Sequence, residues 1–115
     1  MDVVRALWLA QRHGRIEEFL LLVHPEVVWR TLTGLGGAYV GHEGTRAMLA
    51  DYEKALGPYR MDFHELGELP DGRVLARGRI VRMTEDGEVE GPRVETYFEL
   101  RDGLVSGMTS RVLGD

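Results

Sequence analysis

The stretch RVETYFELRDGLVSGMTSRVL, residues 93–113, decides the fold of this chain. Its aliphatic, β-branched and aromatic residues alternate with polar ones on both sides of Asp102-Gly103, a dipeptide that favours tight turns between antiparallel strands. The pattern predicts a hairpin of two strands, Arg93–Arg101 and Leu104–Leu113. Successive side chains of a strand point to opposite faces of the sheet. The length of the turn sets the pairing of the two strands, and therefore which side chains lie on the face that the rest of the chain covers.

The loop of this hairpin can have two lengths, and they bury different side chains. A two-residue loop at Asp102-Gly103 puts Glu95, Glu99 and Arg101 on one face, and that face cannot be core. A three-residue loop, with Gly103 in the left-handed position of a G1 bulge, collects apolar and small residues on one face. We therefore predict the three-residue loop, with four cross-strand pairs: Leu100 with Leu104, Phe98 with Ser106, Thr96 with Met108 and Val94 with Ser110.

Helices are predicted in the first half of the chain and further strands after them. Apolar residues at three- and four-residue spacing indicate the helices, which Gly14, Pro25 and Gly57-Pro58 end. The charged run Glu85–Glu90 is interpreted as a solvated hairpin loop. The predicted helices are about Val3–His13, Ile16–Val23 and Thr45–Leu56, and the predicted strands before the hairpin are Val27–Thr31, Met61–Leu69 and Arg73–Thr84. Helices first and an antiparallel meander second are typical of the α+β class.

Composition excludes several classes of protein. The 115 residues make one domain, 1–115, and without cysteine the chain forms neither disulfides nor cysteine-ligated zinc sites. A net charge of −5 and a single lysine, Lys54, leave no basic stripe for nucleic acid. No window approaches the ~20 consecutive apolar residues that a membrane span needs. Met1 leads into the acidic Asp2 rather than a basic signal-peptide start, so we expect a cytoplasmic protein that binds neither nucleic acid nor membrane.

Three segments carry a family resemblance. They are HPEVVWR at 24–30, the turn YVGHEG at 39–44 leading into a helix, and the hairpin core LRDGLV at 100–105. Together with the order of elements over nearly the whole chain, they resemble the nuclear transport factor 2-like superfamily, and within it the SnoaL-like branch. The resemblance implies a cone-shaped, cystatin-like α+β barrel, in which N-terminal helices pack on a curved antiparallel or mixed sheet and enclose a pocket.

The positions that carry catalysis in relatives hold residues here that cannot replace a carboxylate. The resemblance places the general-base aspartate of ketosteroid isomerases at Thr31 and their oxyanion-hole aspartate at Thr96. It places the Asp-Arg-Asp set of limonene-epoxide hydrolases at Ile80, Gly78 and Ser110. A threonine hydroxyl is neither basic nor ionised at neutral pH, so it cannot abstract a proton. No catalytic residue, metal or cofactor is therefore predicted.

The resemblance implies a pocket for a small hydrophobic molecule on the concave face of the sheet. Strand parity predicts its lining, in which apolar side chains surround hydroxyls that orient the ligand. The small residues Ala76 and Gly78 favour a cavity, whereas the alternative is that the same face packs against the helices as solid core. The residues predicted to bind the ligand are Trp29, Thr31, Tyr39, Ile80, Arg82, Thr96, Phe98, Met108 and Ser110.

Three functions agree with these features: an enzyme of the isomerase, cyclase or hydrolase type, a non-catalytic ligand binder, and a dimeric interaction module. A buried acid–base group beside the cavity would favour the enzyme, and an apolar cavity without one would favour the binder. Val81, Met83, Tyr97 and Val105 are apolar residues on the otherwise charged outer face, and they predict a homodimer interface.

Two other sets of residues were considered as sites. The four histidines, at positions 13, 24, 42 and 64, lack metal-ligand spacing, and His64 is expected on the surface unless a β-bulge turns it inward. The run Gly34–Gly37 is not followed by the Lys-Ser/Thr of a phosphate-binding loop, and we interpret it as a flap at the mouth of the pocket.

Overall fold

Three helices cover one face of a six-stranded mixed sheet in residues 2–31 and 38–113, the part of the chain that the computed structural model describes. The helices are α1 (Asp2–Arg12), α2 (Ile16–Leu21) and α3 (Gly41–Leu56), and the strands are β1 (Val23–Arg30), β2 (Ala38–Val40), β3 (Tyr59–Glu68), β4 (Val74–Thr84), β5 (Gly87–Arg101) and β6 (Leu104–Leu113). The strand order is β2-β1-β6-β5-β4-β3, with β1 and β6 parallel and the other neighbours antiparallel. The predicted α+β class is confirmed, and the sheet stays open between its edge strands β2 and β3.

Two predicted boundaries in the first half of the chain are wrong. α2 ends at Leu21 because Val23 already pairs with Val105 of β6 and begins β1. Pro25 lies where the register between β1 and β6 shifts, so its missing N–H removes no regular bond from the sheet. α3 begins one turn earlier than predicted, at Gly41, whose φ of 73° turns the chain directly from β2 into the helix.

The β5–β6 hairpin has a two-residue turn, so the predicted three-residue loop is wrong. Asp102 and Gly103 have φ of 55° and 77°, the left-handed pair of a type I′ turn. A regular ladder after this turn would bury charged side chains, and a β-bulge prevents that, because Ser106 is an extra residue in β6. The observed pairs are Phe98 with Met108, Thr96 with Ser110 and Glu95 with Arg111. In each of these pairs the β6 partner lies two residues further along the strand than predicted. Because a shift of two residues returns a side chain to the same side of the sheet, these residues still lie on the predicted faces.

The apolar patch expected on the outer face, the side of the sheet away from the helices, is absent. Val105 lies on the turn side of the bulge, faces the core and is fully buried. Val81 is buried as well, and Tyr97 is half-buried with the guanidinium of Arg73 5.0 Å from its ring centroid. Of the four residues expected to form the patch, only Met83 is exposed.

The charged run Glu85–Glu90 is mostly strand, so its interpretation as a loop is wrong. Thr84 pairs with Gly87, which leaves a two-residue turn of Glu85 and Asp86 between β4 and β5. Gly87 has a φ of 112°, which lets the chain reverse at that point, and β5 continues from there with exposed side chains.

The helices pack on the opposite, inner face of the sheet through one main apolar cluster. α1 contributes Val4 and Leu7, and Phe19 of α2 stacks on Trp29 of β1 with ring centroids 5.8 Å apart. Trp29 also donates its indole N–H to Oγ1 of Thr45, 2.7 Å away, which ties α3 to β1. None of the helices in the described ranges has the length and apolar character needed to cross a membrane.

A buried carboxylate organises the outer face. Glu95 is only 3% exposed, and it accepts hydrogen bonds of 2.9 Å each from Arg77, Tyr97 and Arg111. Arg77 also binds Glu65 of β3 at 2.8 Å, so the network crosses four strands. The hydrogen bond from Arg77, with those from Tyr97 and Arg111, lowers the pKa of Glu95 to about 2 against the opposing effect of burial.

Gly78 is required by a close approach between two strands. β3 carries a β-bulge at His64, next to the point where its backbone crosses Gly78 of β4. A Cβ on Gly78 would lie 1.9 Å from the carbonyl oxygen of Asp62 and 2.7 Å from Cα of Phe63. Backbone therefore fills the space that this glycine was expected to leave for a ligand.

The Glu95 network makes the stability of the fold depend on pH. A group whose pKa falls on folding stabilises the folded state above its ordinary pKa of 4.5 and loses that contribution as the pH drops toward 2. We expect Glu95→Gln to lower the free energy of unfolding by about 1–3 kcal/mol at pH 7. The difference in free energy of unfolding between the variant and the parent, measured by urea denaturation, should become smaller below about pH 4.5. Glu90→Gln, at an exposed position of the same strand, is the control, and a gap independent of pH would contradict the prediction.

The close approach at Gly78 predicts that even one added methyl group is harmful. We expect Gly78→Ala to lower the free energy of unfolding by at least ~1–3 kcal/mol, because the strands must separate to admit the Cβ. Gly67→Ala is the matched control in β3, since a Cβ there meets no heavy atom within 4 Å. Urea denaturation of both variants measures the difference. Equal losses in free energy of unfolding would show that the close approach of the two backbones does not exclude a Cβ at position 78.

Candidate ligand-binding cavity

A narrow cavity lies between the helices and the inner face of the sheet. Its volume is about 40 Å³, room for a few water-sized groups, whereas sites for drug-sized ligands are larger. Most of the wall is aromatic or aliphatic, and it is formed by Leu7, Trp8, Gln11, Phe19, Trp29, Met48, Tyr52, Met61, Phe63, Thr96, Phe98, Met108 and Ser110.

The two tryptophans in the wall donate their indole N–H groups to acceptors within the protein. Trp8 donates its indole N–H to the carbonyl oxygen of Met61 at 2.6 Å, and its ring packs edge-on against Phe63 at 5.6 Å between centroids. Trp29 donates to Thr45, as described above, and stacks on Phe19. Because both N–H groups already have acceptors, these residues offer a ligand only their apolar ring surface.

Two of the hydroxyl groups in the wall, those of Thr96 and Ser110, bind each other. Thr96 and Ser110 are cross-strand partners, and their side-chain oxygens are 2.8 Å apart. The Ser110 hydroxyl also lies 3.5 Å from the sulfur of Met108. A hydroxyl buried without a partner costs about 1–3 kcal/mol. The pair avoids that cost without any ligand.

A wider cleft of about 280 Å³ adjoins the cavity on the side of α1, the end of α3 and the start of β3. Trp8, Gln11 and Met61 line both spaces, so their side chains form the partition between them. Gln11 donates from Nε2 to the hydroxyl oxygen of Tyr59 at 2.9 Å. Burial raises the pKa of Tyr59 to about 12, so this hydroxyl keeps its proton at neutral pH.

The structure brings five of the nine predicted ligand-binding residues together in the wall: Trp29, Thr96, Phe98, Met108 and Ser110. The other four line neither the cavity nor the cleft. Ile80 is buried in a separate apolar cluster, and Thr31 is half-buried just beyond the end of β1. Tyr39 donates its hydroxyl to Asp51 at 2.6 Å, and the exposed Arg82 donates to a carbonyl oxygen at the end of α3 at 3.1 Å.

Strand parity could not identify the part of the wall that the helices supply. Leu7, Trp8 and Gln11 share one side of α1, and their three- and four-residue spacing was visible in the sequence. The available signal was a glutamine on an otherwise apolar helical face. From α2 and α3 the wall receives Phe19, Met48 and Tyr52.

The remaining candidate residues do not contribute to the cavity. His64 lies at the β3 bulge, but its side chain is exposed. The glycine run 34–37, interpreted as a flap, falls outside the described residues. Within residues 2–31 and 38–113, no three histidine, aspartate or glutamate side chains gather as metal ligands, and none of these residue types lines the cavity.

Several solved structures share this fold over almost the whole chain. TerC, co-crystallised with polyporic acid, is 27% identical with a TM-score of 0.80, and the match covers 99% of this chain and 89% of TerC. Bal32a, from a soil-derived mobile gene cassette, is 19% identical with a TM-score of 0.83 over 96% and 86% of the two chains. An NTF2-like protein of unknown function from Burkholderia pseudomallei K96243 is 20% identical with a TM-score of 0.80 over 100% and 89%. No curated protein matches the chain.

A family model agrees with these structural matches. The model of the SnoaL-like domain matches residues 4–108, which include at least part of every helix and strand described above. The helices and the mixed sheet are arranged as the resemblance implied. The chain therefore belongs to the SnoaL-like domain family.

Proposed function

We propose that this chain binds a small hydrophobic molecule in the cavity and the adjoining cleft, without acid–base catalysis. The observation that carries the proposal is the wall of the cavity: aromatic and aliphatic side chains, the hydroxyls of Thr96 and Ser110, which bind each other, and no Asp, Glu or His among the described residues. Apolar concave sites with few polar groups are typical of small-ligand binding. The co-crystallisation of the similar protein TerC with polyporic acid supports small-molecule binding by this fold.

Flexible side chains allow the cavity to enlarge around a ligand. Of the five methionines in the chain, Met48, Met61 and Met108 line the cavity and Met83 lines the cleft. Methionine is unbranched and adapts to irregular spaces, so these side chains can reorient at low cost. A ligand larger than the cavity can therefore enter by displacing them and by extending past Trp8 into the cleft.

The roles of the residues at the relatives' catalytic positions support binding rather than proton transfer. Thr31 lies outside the wall, and Thr96 is engaged by Ser110. Ile80 packs in an apolar cluster, and Gly78 touches the backbone of β3. Acid–base catalysis by an isomerase, cyclase or hydrolase commonly uses a carboxylate or a histidine beside the substrate, and the described wall has neither.

Filling the cavity from the sheet side tests the proposal. We expect Met108→Trp to abolish ligand binding, and to cost less stability than the ~1–3 kcal/mol typical of an overpacked core. The probes are polyporic acid and 2-isopropenylnaphthalene, a neutral aromatic hydrocarbon, titrated by calorimetry. In the parent, tryptophan fluorescence also reports binding, because both tryptophans of the chain, Trp8 and Trp29, line the cavity.

The matched control is Thr109→Trp. Thr109 is exposed on the opposite face of β6 from Met108, so this variant should leave the binding of both probes unchanged. The proposal fails if the parent binds neither probe and Met108→Trp costs about 1–3 kcal/mol or more, since the inner face is then solid core.

We also propose that the chain forms a homodimer through its outer face, although not through an apolar patch. The support is the presence of exposed charges of both signs there, Glu65, Arg77 and Arg111, because such charges can complement a second copy of the same surface. Light scattering at micromolar concentration should give twice the chain mass, and a mass near 13.0 kDa would contradict this assembly.

A further inference from the structure

An acceptor oxygen of a ligand needs a donor outside the Thr96–Ser110 pair, because one hydroxyl hydrogen of the pair lies between the two residues and the other is donated by Ser110 to the sulfur of Met108. Tyr59, which lines the cleft, is such a donor. Gln11 donates to the hydroxyl oxygen of Tyr59, which leaves the hydrogen of that hydroxyl available for donation. No hydrogen bond donated by Tyr59 is present among residues 2–31 and 38–113.

We propose that Tyr59 is a specificity-determining residue that donates a hydrogen bond to a carbonyl oxygen of the ligand, with Gln11 as the residue that positions its hydroxyl. The ligand class is then an uncharged ketone with an aromatic or alicyclic body. This inference rests on the proposed function, because it concerns the same cavity. Beyond the proposed function, this inference identifies the residue that binds the polar group of the ligand and hence the orientation of the ligand.

The position of the Tyr59 hydroxyl fits this role. Its oxygen is 2.9 Å from Nε2 of Gln11, a residue that lines both the cavity and the cleft. The Tyr59 ring lies edge-on to Tyr52, 6.1 Å between centroids, and Tyr52 is part of the cavity wall. An apolar body in the cavity that extends past the shared residues Trp8 and Gln11 enters the cleft that Tyr59 lines, where a carbonyl group at its outer end can meet this hydroxyl.

The protonation state of Tyr59 agrees with a donor. Burial of the hydroxyl raises its pKa to about 12, while the bond from Gln11 acts in the opposite direction. Tyr59 is therefore neutral at physiological pH and can donate to an acceptor oxygen.

The charges around the cleft do not favour an anionic ligand. Arg12 and Arg60 line the cleft, and so does Glu53. Arg60 is further engaged by Asp62 and Glu88 in ion pairs. The carboxylates thus offset the arginines, and a carboxylate ligand would gain no excess of positive charge here. A carbonyl oxygen needs only the one neutral donor that Tyr59 supplies.

A matched pair of probes separates this hydrogen bond from simple burial. The ketone 2-acetylnaphthalene and the alkene 2-isopropenylnaphthalene have almost the same shape, and only the ketone accepts a hydrogen bond. We expect Tyr59→Phe to weaken ketone binding about five- to tenfold, the usual worth of one neutral hydrogen bond. Alkene binding should change less than twofold. Tyr97→Phe, which removes a hydroxyl on the outer face, is the control and should change neither affinity.

The infrared carbonyl band of the bound ketone gives a second readout that a loss of packing would not reproduce. It should shift to lower wavenumber in the parent, and this shift should disappear in Tyr59→Phe. Equal weakening of both probes, or no weakening of either, overturns the role of Tyr59 and leaves the proposed function standing. If neither probe binds the parent, the proposed function fails together with this inference.

A third probe, 2-naphthoate, tests the charge of the ligand. We expect the parent to bind it more weakly than the ketone. If the parent instead binds the naphthoate more tightly than the ketone, and Arg12→Gln removes this preference, the ligand is not uncharged. The cleft beside Arg12 would then be a binding site for an anion.

Discussion

One extra residue in β6, Ser106, determines which side of the terminal hairpin the helices cover. The type I′ turn at Asp102-Gly103 suits the twist of the two strands, but a regular ladder after it would turn charged residues toward the core. The bulge restores the alternation, so that Phe98 faces the helices and Glu95 faces away from them. The cavity on one side of the sheet and the ion-pair network on the other both depend on this shift.

The cavity and the cleft differ in the hydrogen-bond donors that their walls leave over. In the cavity wall, Thr96 and Ser110 bind each other, and Ser110 also donates to the sulfur of Met108, so both hydroxyl hydrogens are used. In the cleft, Gln11 and Tyr59 form a bond that still leaves one hydroxyl hydrogen. In the proposed function, this difference orients a ligand that carries one polar group.

Membership of the SnoaL-like family establishes the architecture and not the chemistry, because function depends on the side chains that a fold carries. The positions where relatives hold catalytic residues have structural roles in this chain. Gly78 admits the backbone of β3, Ile80 fills an apolar cluster, and Thr96 pairs across the hairpin. Introducing the relatives' arginine at Gly78 would break a strand contact before it created an active site.

Much of the fold followed from patterns that are local in the chain. Spacing of apolar residues in α1 and alternation in β5 and β6 were enough for the α+β class and for the inward orientation of Thr96, Phe98 and Met108. The lack of carboxylates at the relatives' catalytic positions was also visible, since it depends only on residue identity.

The tertiary structure decided everything that depends on distances between separate segments. It set the hairpin register through the bulge, moved Val105 from the outer face into the core, and placed backbone where Gly78 was expected to leave space. It also brought Gln11 of α1 to Tyr59 of β3, 48 residues away. A hydrogen bond between such distant positions has no periodicity of its own, because it exists only once the helix has packed on the sheet.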